Sequence, residues 1–180
     1  MCGRFTLRTP LKDVVETFDL ALHGGAEPGE LVPRYNVAPS QSVAAVRYDA
    51  ERAARRLSML QWGLIPSWAD DPAIGNRMIN ARGETVAEKP SFRAAVKKRR
   101  CLVLADGYYE WKQGTRPKQP YLFHFEDDRP FAFAGLWQTD LKYGLLNRNI
   151  GSVKMVLPEG EILETGSRCL AGAGDIWVYG

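Results

Sequence analysis

Short β-type segments separated by turn signals dominate the chain and restrict its fold most strongly. They either alternate between apolar and polar residues or form brief apolar runs, and glycine-, proline- and acid-rich turns join them. In chain order, the predicted strands are 42–48, 55–62, 101–105, 108–112, 120–125 and 130–137. This pattern predicts an α+β fold, with a strand-rich, mainly antiparallel core and flanking helices.

Helical signals are fewer. Thr9-Pro10 predicts a helix start, and apolar residues at helical spacing run on to Leu22 before Gly24-Gly25 ends the helix. Ser91 is a good cap for a basic amphipathic helix over 92–99. A short helix is also expected at 84–88.

Composition excludes several classes of protein. A chain of 180 residues suits a single domain spanning 1–180, and a net charge of +3 does not by itself indicate nucleic-acid binding. The three cysteines are widely spaced, and no CxxC or histidine-rich cluster suggests a metal site. Residues 1–13 lack the apolar core of a secretion signal, and no apolar run approaches the roughly 20 residues that span a bilayer. We therefore expect a cytoplasmic protein with reduced thiols, no cofactor and no membrane partner.

The start Met1-Cys2-Gly3-Arg4 carries distinctive chemistry. Removal of Met1, which is usual before a small residue, would leave Cys2 with an α-amine and a thiol on adjacent carbons. Such groups titrate near pH ~8 and ~8.5, so both have nucleophilic fractions at neutral pH. A 1,2-aminothiol captures aldehydes by forming an imine and then closing a thiazolidine ring. The alternative is that position 2 is cysteine by chance.

Three polar residues in two later segments are candidates for a site. Glu110 lies between aromatic residues and either points to solvent or sits in a pocket suited to general acid/base work. Asn80 and Arg82 would share one face of an extended segment, where they could orient a carbonyl and bind a phosphate. Their alternative role is to cap a loop.

Aromatic and basic residues also alternate in the middle of the chain. Trp62 and Trp68, near Arg77 and Arg82, could stack unpaired bases, although aromatic residues more often belong to a core. The cationic run 97–100 is either a solvated helix end or a phosphate contact.

Five motifs in order resemble the SRAP family (SOS response-associated peptidase fold), whose members process abasic sites in single-stranded DNA. The resemblance covers residues 2–137, and residues 138–180 diverge from the family pattern. The motifs are Cys-Gly-Arg-Phe from Cys2, Arg-Tyr-Asn-Val-Ala-Pro from Arg34, Trp-Gly-Leu-Ile-Pro-Ser-Trp from Trp62, Asn-Ala-Arg-Gly-Glu-Thr from Asn80 and Ala-Asp-Gly-Tyr-Tyr-Glu-Trp from Ala105.

The resemblance implies a mechanism. Cys2 would attack the ring-opened sugar of an abasic site in single-stranded DNA and form a thiazolidine crosslink. Asn80 would lie beside the Cys2 amine, and Glu110 would move protons. A peptidase-like activity would remove Met1, and no metal or organic cofactor is implied.

The resemblance also implies a DNA-binding groove, in a protein that we expect to be a monomer. Arg4 and Arg82 would hold phosphates, and Pro39 and Trp68 would contact neighbouring bases. Arg77, beside the aromatic residues, completes the candidate DNA-binding set.

The chain departs from the family in one respect. Family members carry a catalytic histidine in a His-Asp/Asn-Arg-Met-Pro-like segment after the strand that resembles 131–137, whereas residues 138–180 contain no histidine. The only histidines are His23 and His124, which lack that motif. Three explanations remain open. The family histidine is truly absent, the C-terminal segment comes from a divergent lineage, or the reading frame is altered near residue 138.

Two other functions remain open. One is an N-terminal-nucleophile cysteine amidohydrolase or peptidase, which would use the Cys2 thiol. The other is a non-catalytic single-stranded DNA-binding module. An adduct that forms with an aldehyde and requires Cys2 would distinguish aldehyde capture from both.

Overall fold

The computed structural model describes residues 3–20, 31–112, 114, 116–140, 145–156, 162–164 and 176–179. Strands predominate in these ranges, with two short α-helices and one 3-10 helix. The strands are β1 Arg4–Leu7, β2 Arg34–Val37, β3 Ser42–Asp49, β4 Ala54–Trp62, β5 Asn80–Ala81, β6 Arg100–Ala105, β7 Gly107–Trp111, β8 Pro120–Phe125, β9 Phe131–Asp140, β10 Leu145–Val156, β11 Ile162–Glu164 and β12 Ile176–Tyr179; the helices are α1 Leu11–Thr17, the 3-10 helix Pro72–Arg77 and α2 Arg93–Lys98.

The strands form two sheets. The five-stranded sheet has the order β12-β8-β7-β1-β2, and all its pairs are antiparallel. The seven-stranded sheet has the order β11-β10-β4-β3-β6-β9, with β5 beside β10. Strand β10 also pairs with β9, so the path β4-β3-β6-β9-β10 closes on itself. Among the strands that the structure describes, only the pairs that β10 makes with β4 and β5 are parallel. The α+β prediction with a mainly antiparallel core is therefore confirmed.

The main core lies where the two sheets meet. The Phe5 ring of β1 contacts the Trp62 and Phe133 rings at centroid distances of 5.3 and 6.0 Å, and Tyr108 of β7 meets Phe133 edge-on. A second cluster packs α1 against the other face of the seven-stranded sheet through Val14. Burying large rings from both sheets contributes much of the stabilising free energy of such a fold.

The predicted strands are all present, but the first helix is shorter than expected. Helix α1 ends at Thr17, and Asp19 adopts a left-handed conformation with φ 48°. Thr9 does not cap the helix, because its hydroxyl and backbone N–H both donate to Asp106. The predicted stop at 24–25 lies outside the described residues.

Two other helix predictions were wrong in detail. Residues 84–88 form successive turns rather than a helix, with Thr85 N–H donating to Arg82 O and Glu88 N–H to Thr85 O. Helix α2 begins at Arg93 rather than Phe92 and has no side-chain cap, so Ser91 does not play its predicted role.

Candidate nucleic-acid interface

Trp62 connects the start of the chain to β5. The Trp62 side chain is buried, at 4% exposure, and its ring packs on Phe5. Its indole Nε1 donates to the backbone oxygen of Ile79 at 2.7 Å. Ile79 precedes Asn80, so one tryptophan holds the segment around Phe5 close to the segment that carries Asn80.

Asn80 is half-buried in the short strand β5, where it pairs with Gly151 of β10. The strand ends at Ala81, and Arg82 is exposed in the following loop. Because the pairing ends before Arg82, it does not by itself place the Arg82 side chain on the face of Asn80.

The pairing of β1 with β7 places Arg4 and Glu110 on different faces of the five-stranded sheet. Arg4 lies opposite Tyr109, and directly opposed residues point to the same face. Glu110 follows Tyr109 and so points to the other face, as does its partner Tyr121, which packs against the main core. Glu110 is half-buried there.

The outer face of this sheet carries a polar cluster. Arg4 Nη1 donates to Asn36 Oδ1 at 3.0 Å, and the Tyr109 hydroxyl donates to the backbone oxygen of Tyr35, also at 3.0 Å. Sequence reasoning gave no role to Asn36, although it lies in one of the family motifs. Only the pairing of β1 with β2 reveals that it meets Arg4.

The turn that contains Pro39 is attached to the same tryptophan. Ser40, with φ 68°, donates its backbone N–H to Trp62 O at 2.9 Å. The Ser40 hydroxyl donates to Asn76 Oδ1 at 2.8 Å. Asn76 belongs to the 3-10 helix that ends at Arg77, whose side chain is exposed. Pro39 and Arg77 are therefore carried by two segments that are hydrogen-bonded to each other.

Gly63 allows the closest approach in this region. Its φ is +130°, and a Cβ atom there would lie 2.5 Å from the carbonyl oxygen of Gly75 in the 3-10 helix. The next residue, Leu64, donates its N–H to Met78 O at 3.0 Å. A side chain at position 63 would thus push the 3-10 helix away from β4.

Trp68 is the exposed aromatic residue of the loop after β4. It is 57% exposed, whereas Leu64, Ile65 and Ala69 around it are buried. Its ring is available to stack on a ligand, which the buried ring of Trp62 is not. The alternative that Trp62 belongs to the core is the one observed.

Asp106 anchors the end of β1, and sequence reasoning gave it only a turn role. It is 1% exposed, and its carboxylate accepts hydrogen bonds from the Thr6 hydroxyl at 2.6 Å and the Thr9 N–H at 2.8 Å. It also accepts from the Arg8 backbone N–H and from Arg8 Nε, the latter at 3.3 Å. A buried carboxylate with this many donors fixes the path of the chain as it leaves β1.

The remaining titratable groups of note lie on other elements. His124 is buried on β8, with Nδ1 2.8 Å from both Phe125 O and Asp128 Oδ1. A hydrogen bond from Arg8 holds the pKa of Asp128 below its usual value. Burial raises the pKa of the Cys101 thiol to about 12. The described residues contain no cluster of His, Cys, Asp and Glu that could hold a metal ion.

The structure brings some predicted residues together and not others. Met1, Cys2 and His23 lie outside the described residues. The Phe5–Trp62 contact and the Trp62–Ile79 hydrogen bond link β1 with the segment that carries Asn80, and Glu110 lies on β7, the strand that pairs with β1. Arg82 follows the end of β5, and the cationic run 97–100 spans the end of α2 and the start of β6. Within the described ranges, no helix has the length and apolar character needed to cross a bilayer.

Comparisons with known proteins agree with this architecture. The model of the SOS response associated peptidase (SRAP) family matches residues 1–156. A phage-related protein from Bordetella bronchiseptica superposes with a TM-score of 0.68 at 27% identity, covering 88% of this chain and 78% of that chain.

Named relatives give the same assignment. The chain is 45% identical over 149 residues to abasic site processing protein YoaM of Bacillus subtilis, covering 81% of this chain and 64% of YoaM. It is 37% identical over 148 residues to abasic site processing protein HMCES of Rattus norvegicus, covering 72% of this chain and 42% of HMCES. The chain spans about three fifths of the length of the Bacillus relatives it matches. Because the family model covers most of its length, the chain belongs to the SRAP family.

Proposed function

We propose that this chain processes abasic sites in single-stranded DNA and captures the lesion covalently through Cys2. The contact chain from Phe5 through Trp62 to Ile79 carries this proposal, because it holds strand β1 close to the segment that carries Asn80. Cys2 is bonded to Gly3, and consecutive Cα atoms are about 3.8 Å apart. Arg4, two residues after Cys2, pairs with Tyr109, and Glu110 is the next residue of β7. Cys2, Asn80 and Glu110 are thus proposed to form one site.

The capture reaction balances without a cofactor. The Cys2 α-amine, freed by removal of Met1, adds to the aldehyde carbon of the ring-opened sugar, and loss of water gives an imine. The thiolate then adds to the same carbon, and the former imine nitrogen takes up a proton, which closes a thiazolidine. We assign the proton transfers to Glu110 and the orientation of the amine and sugar to Asn80. The capture step uses the amine and the thiol and requires no histidine.

Removal of Met1 is the peptidase-like part of this proposal. Cleavage of the peptide bond between Met1 and Cys2 consumes one water and frees the α-amine that the capture step needs. The proposed DNA-processing unit is the single SRAP domain acting as a monomer. Whether the chain removes its own Met1 is tested by its intact mass when it is made in a cell-free system without aminopeptidase.

DNA binding is assigned to the residues around the Pro39 turn and the aromatic loop. We propose that Arg4, Arg77 and Arg82 contact phosphates. Pro39 and Trp68 contact unpaired bases, since an exposed indole can stack on any base. Names of relatives support a DNA substrate, because YoaM and HMCES are described as abasic site processing proteins.

The decisive experiment is intact mass spectrometry of the protein mixed with a single-stranded oligonucleotide that carries one abasic site. We expect an adduct with the mass of protein plus oligonucleotide minus one water. Cys2→Ala and Cys2→Ser both keep the α-amine and lose the thiol, so neither should give a thiazolidine and each should give at most an imine that is trapped on borohydride reduction. An adduct of Cys2→Ala as stable as that of the wild type would refute capture through the thiol.

The phosphate contacts are tested separately by salt dependence. Each phosphate contact to a single strand contributes about 0.7 to the slope of log K against log salt. Arg82→Ala should lower the slope by about that amount. Arg52, which is exposed and hydrogen-bonded to Asp49, provides the control, and Arg52→Ala should leave the slope unchanged. An unchanged slope in Arg82→Ala would remove Arg82 from the contact set.

A further inference from the structure

Strand β2 presents an aromatic side chain to which the proposed function assigns no role. Tyr35 is 64% exposed, and β2 is the last strand of the five-stranded sheet among the described residues. A single exposed aromatic residue is common on a protein surface, so exposure alone assigns no binding role. Its neighbours therefore decide what the ring could bind.

The backbone of Tyr35 is held in place. Its carbonyl oxygen accepts a hydrogen bond from the Tyr109 hydroxyl of β7 at 3.0 Å, across the intervening strand β1. A residue whose main chain is fixed in this way presents its ring at a defined place, and so loses less conformational freedom when a ligand stacks on it.

Two polar side chains near Tyr35 in the chain and the sheet, those of Asn36 on β2 and Arg4 on β1, suit a nucleotide. Arg4 donates to Asn36 Oδ1 at 3.0 Å, which turns the amide nitrogen of the exposed Asn36 away from Arg4. The pair therefore offers a guanidinium and an amide N–H group, which are both donors to phosphate and base oxygens.

The local charge points in the same direction. Segment 31–48 contains two arginines, Arg34 and Arg47, and no Asp or Glu, and β1 contains no acidic residue. An exposed ring in a segment without negative charge complements a polyanion. A cationic partner would need the opposite arrangement.

We propose that Tyr35 stacks on an unpaired base of the bound single strand and that Arg4 and Asn36 contact the adjoining sugar–phosphate. The inference rests on the proposed function and adds a second base-stacking position to that of Trp68. The subsite accepts any base, because every base offers a flat π face. It is specific for unpaired nucleotides, because bases in a duplex stack on one another.

Anisotropy titrations with undamaged single-stranded oligonucleotides test the subsite. Tyr35→Ala should weaken binding by about 5-fold to 100-fold, and Tyr35→Phe, which keeps the ring, should bind within about 2-fold of the wild type. Tyr48 of β3 is a matched control at 66% exposure, and Tyr48→Ala should bind like the wild type. 2-Aminopurine placed at successive positions should show one position whose fluorescence change disappears in Tyr35→Ala.

The outcomes separate this inference from the proposed function. If Tyr35→Ala binds DNA as tightly as Tyr48→Ala while the wild type still forms its Cys2 adduct, the Tyr35 subsite is wrong and lesion capture stands. If the wild type neither binds single strands nor forms an adduct, both are overturned. A weakening in Tyr35→Phe equal to that in Tyr35→Ala would also refute stacking, since the ring would then not be the group that binds.

Discussion

Replacing Asp106 by alanine should be among the most destabilising single substitutions in the described part of the chain. The carboxylate is 1% exposed and accepts hydrogen bonds from the Thr6 and Thr9 side chains, the Thr9 N–H, the Arg8 N–H and Arg8 Nε. Thr6 is equally buried, so water cannot replace the lost acceptor there. Hydrogen bonds to a charged group contribute roughly 1.5–3 kcal/mol each, and donors left buried without an acceptor add a penalty.

These contributions are not additive, because the donors share one carboxylate and Arg8 retains Asp128 as a partner. We expect Asp106→Ala to lower the free energy of unfolding by about 3–5 kcal/mol. At about 2–4 °C per kcal/mol for a domain of this size, the melting temperature should fall by about 6–20 °C. Asp106→Asn keeps one acceptor oxygen but turns an amide N–H group toward Arg8 Nε or the backbone donors. It should therefore lower the free energy of unfolding by about 1–3 kcal/mol.

Urea unfolding followed by tryptophan fluorescence measures this difference directly, provided that the m-value is unchanged. Asp127 serves as the control, because it is exposed and its hydrogen bond is to Arg129 N–H in a surface turn. Asp127→Ala should stay within about 0.5 kcal/mol of the wild type. A cost below about 1 kcal/mol for Asp106→Ala would show that the hydrogen bonds around this carboxylate do not anchor β1.

Three further predictions follow from other residues. Gly63→Ala should lower the free energy of unfolding by more than about 2 kcal/mol, because its Cβ would meet Gly75 O. Gly114→Ala, at φ +80° with open space around it, should lower that free energy by about 1 kcal/mol. Equal urea midpoints for the two variants would contradict this. Hydrogen bonds from arginines lower the pKa of Asp49 to about 2. The stabilising effect of its carboxylate should therefore be complete above pH ~4 and be lost as the pH falls toward 2. When unfolding midpoints are measured over a series of pH values, Asp49→Asn should match the wild type only at the acidic end. Burial raises the pKa of Cys101 to about 12. In a variant whose other two cysteines are replaced by serine, Cys101 should therefore react with a thiol reagent at pH 8 only when the protein unfolds. Rapid labelling of the folded protein would disprove this.

The strands were predictable from the sequence because their signals are local. Alternation over 42–48 and 55–62, and the apolar run at 101–105, correspond to β3, β4 and β6. The partners of Asp106 and Asn36 were not predictable, since both depend on which strands pair far apart in the chain. Thr9 illustrates the limit, because its sequence context favours a helix cap while Asp106, nearly a hundred residues later, takes its hydroxyl.

In the candidate site, too, the local motifs were predictable from the sequence and the long-range geometry was not. The motifs marked Asn80, Glu110 and Trp68, but sequence spacing could not show that Arg4 and Glu110 point to different faces of one sheet. Nor could it show that Arg82 lies beyond the end of β5. These are consequences of register and of where an extended segment stops, and both are set by tertiary packing.

The closed path of the seven-stranded sheet has a consequence for biosynthesis. The β10 strand completes the ring and also flanks Asn80, yet it is translated after every strand it pairs with except β11. A nascent chain that has not yet released β10 from the ribosome exposes open edges on β4, β5 and β9, which are prone to pair with other chains. The ring and the Asn80 segment can therefore mature only after β10 has been synthesised, so that slow translation or termination before residue 145 would favour aggregation over an open but functional intermediate.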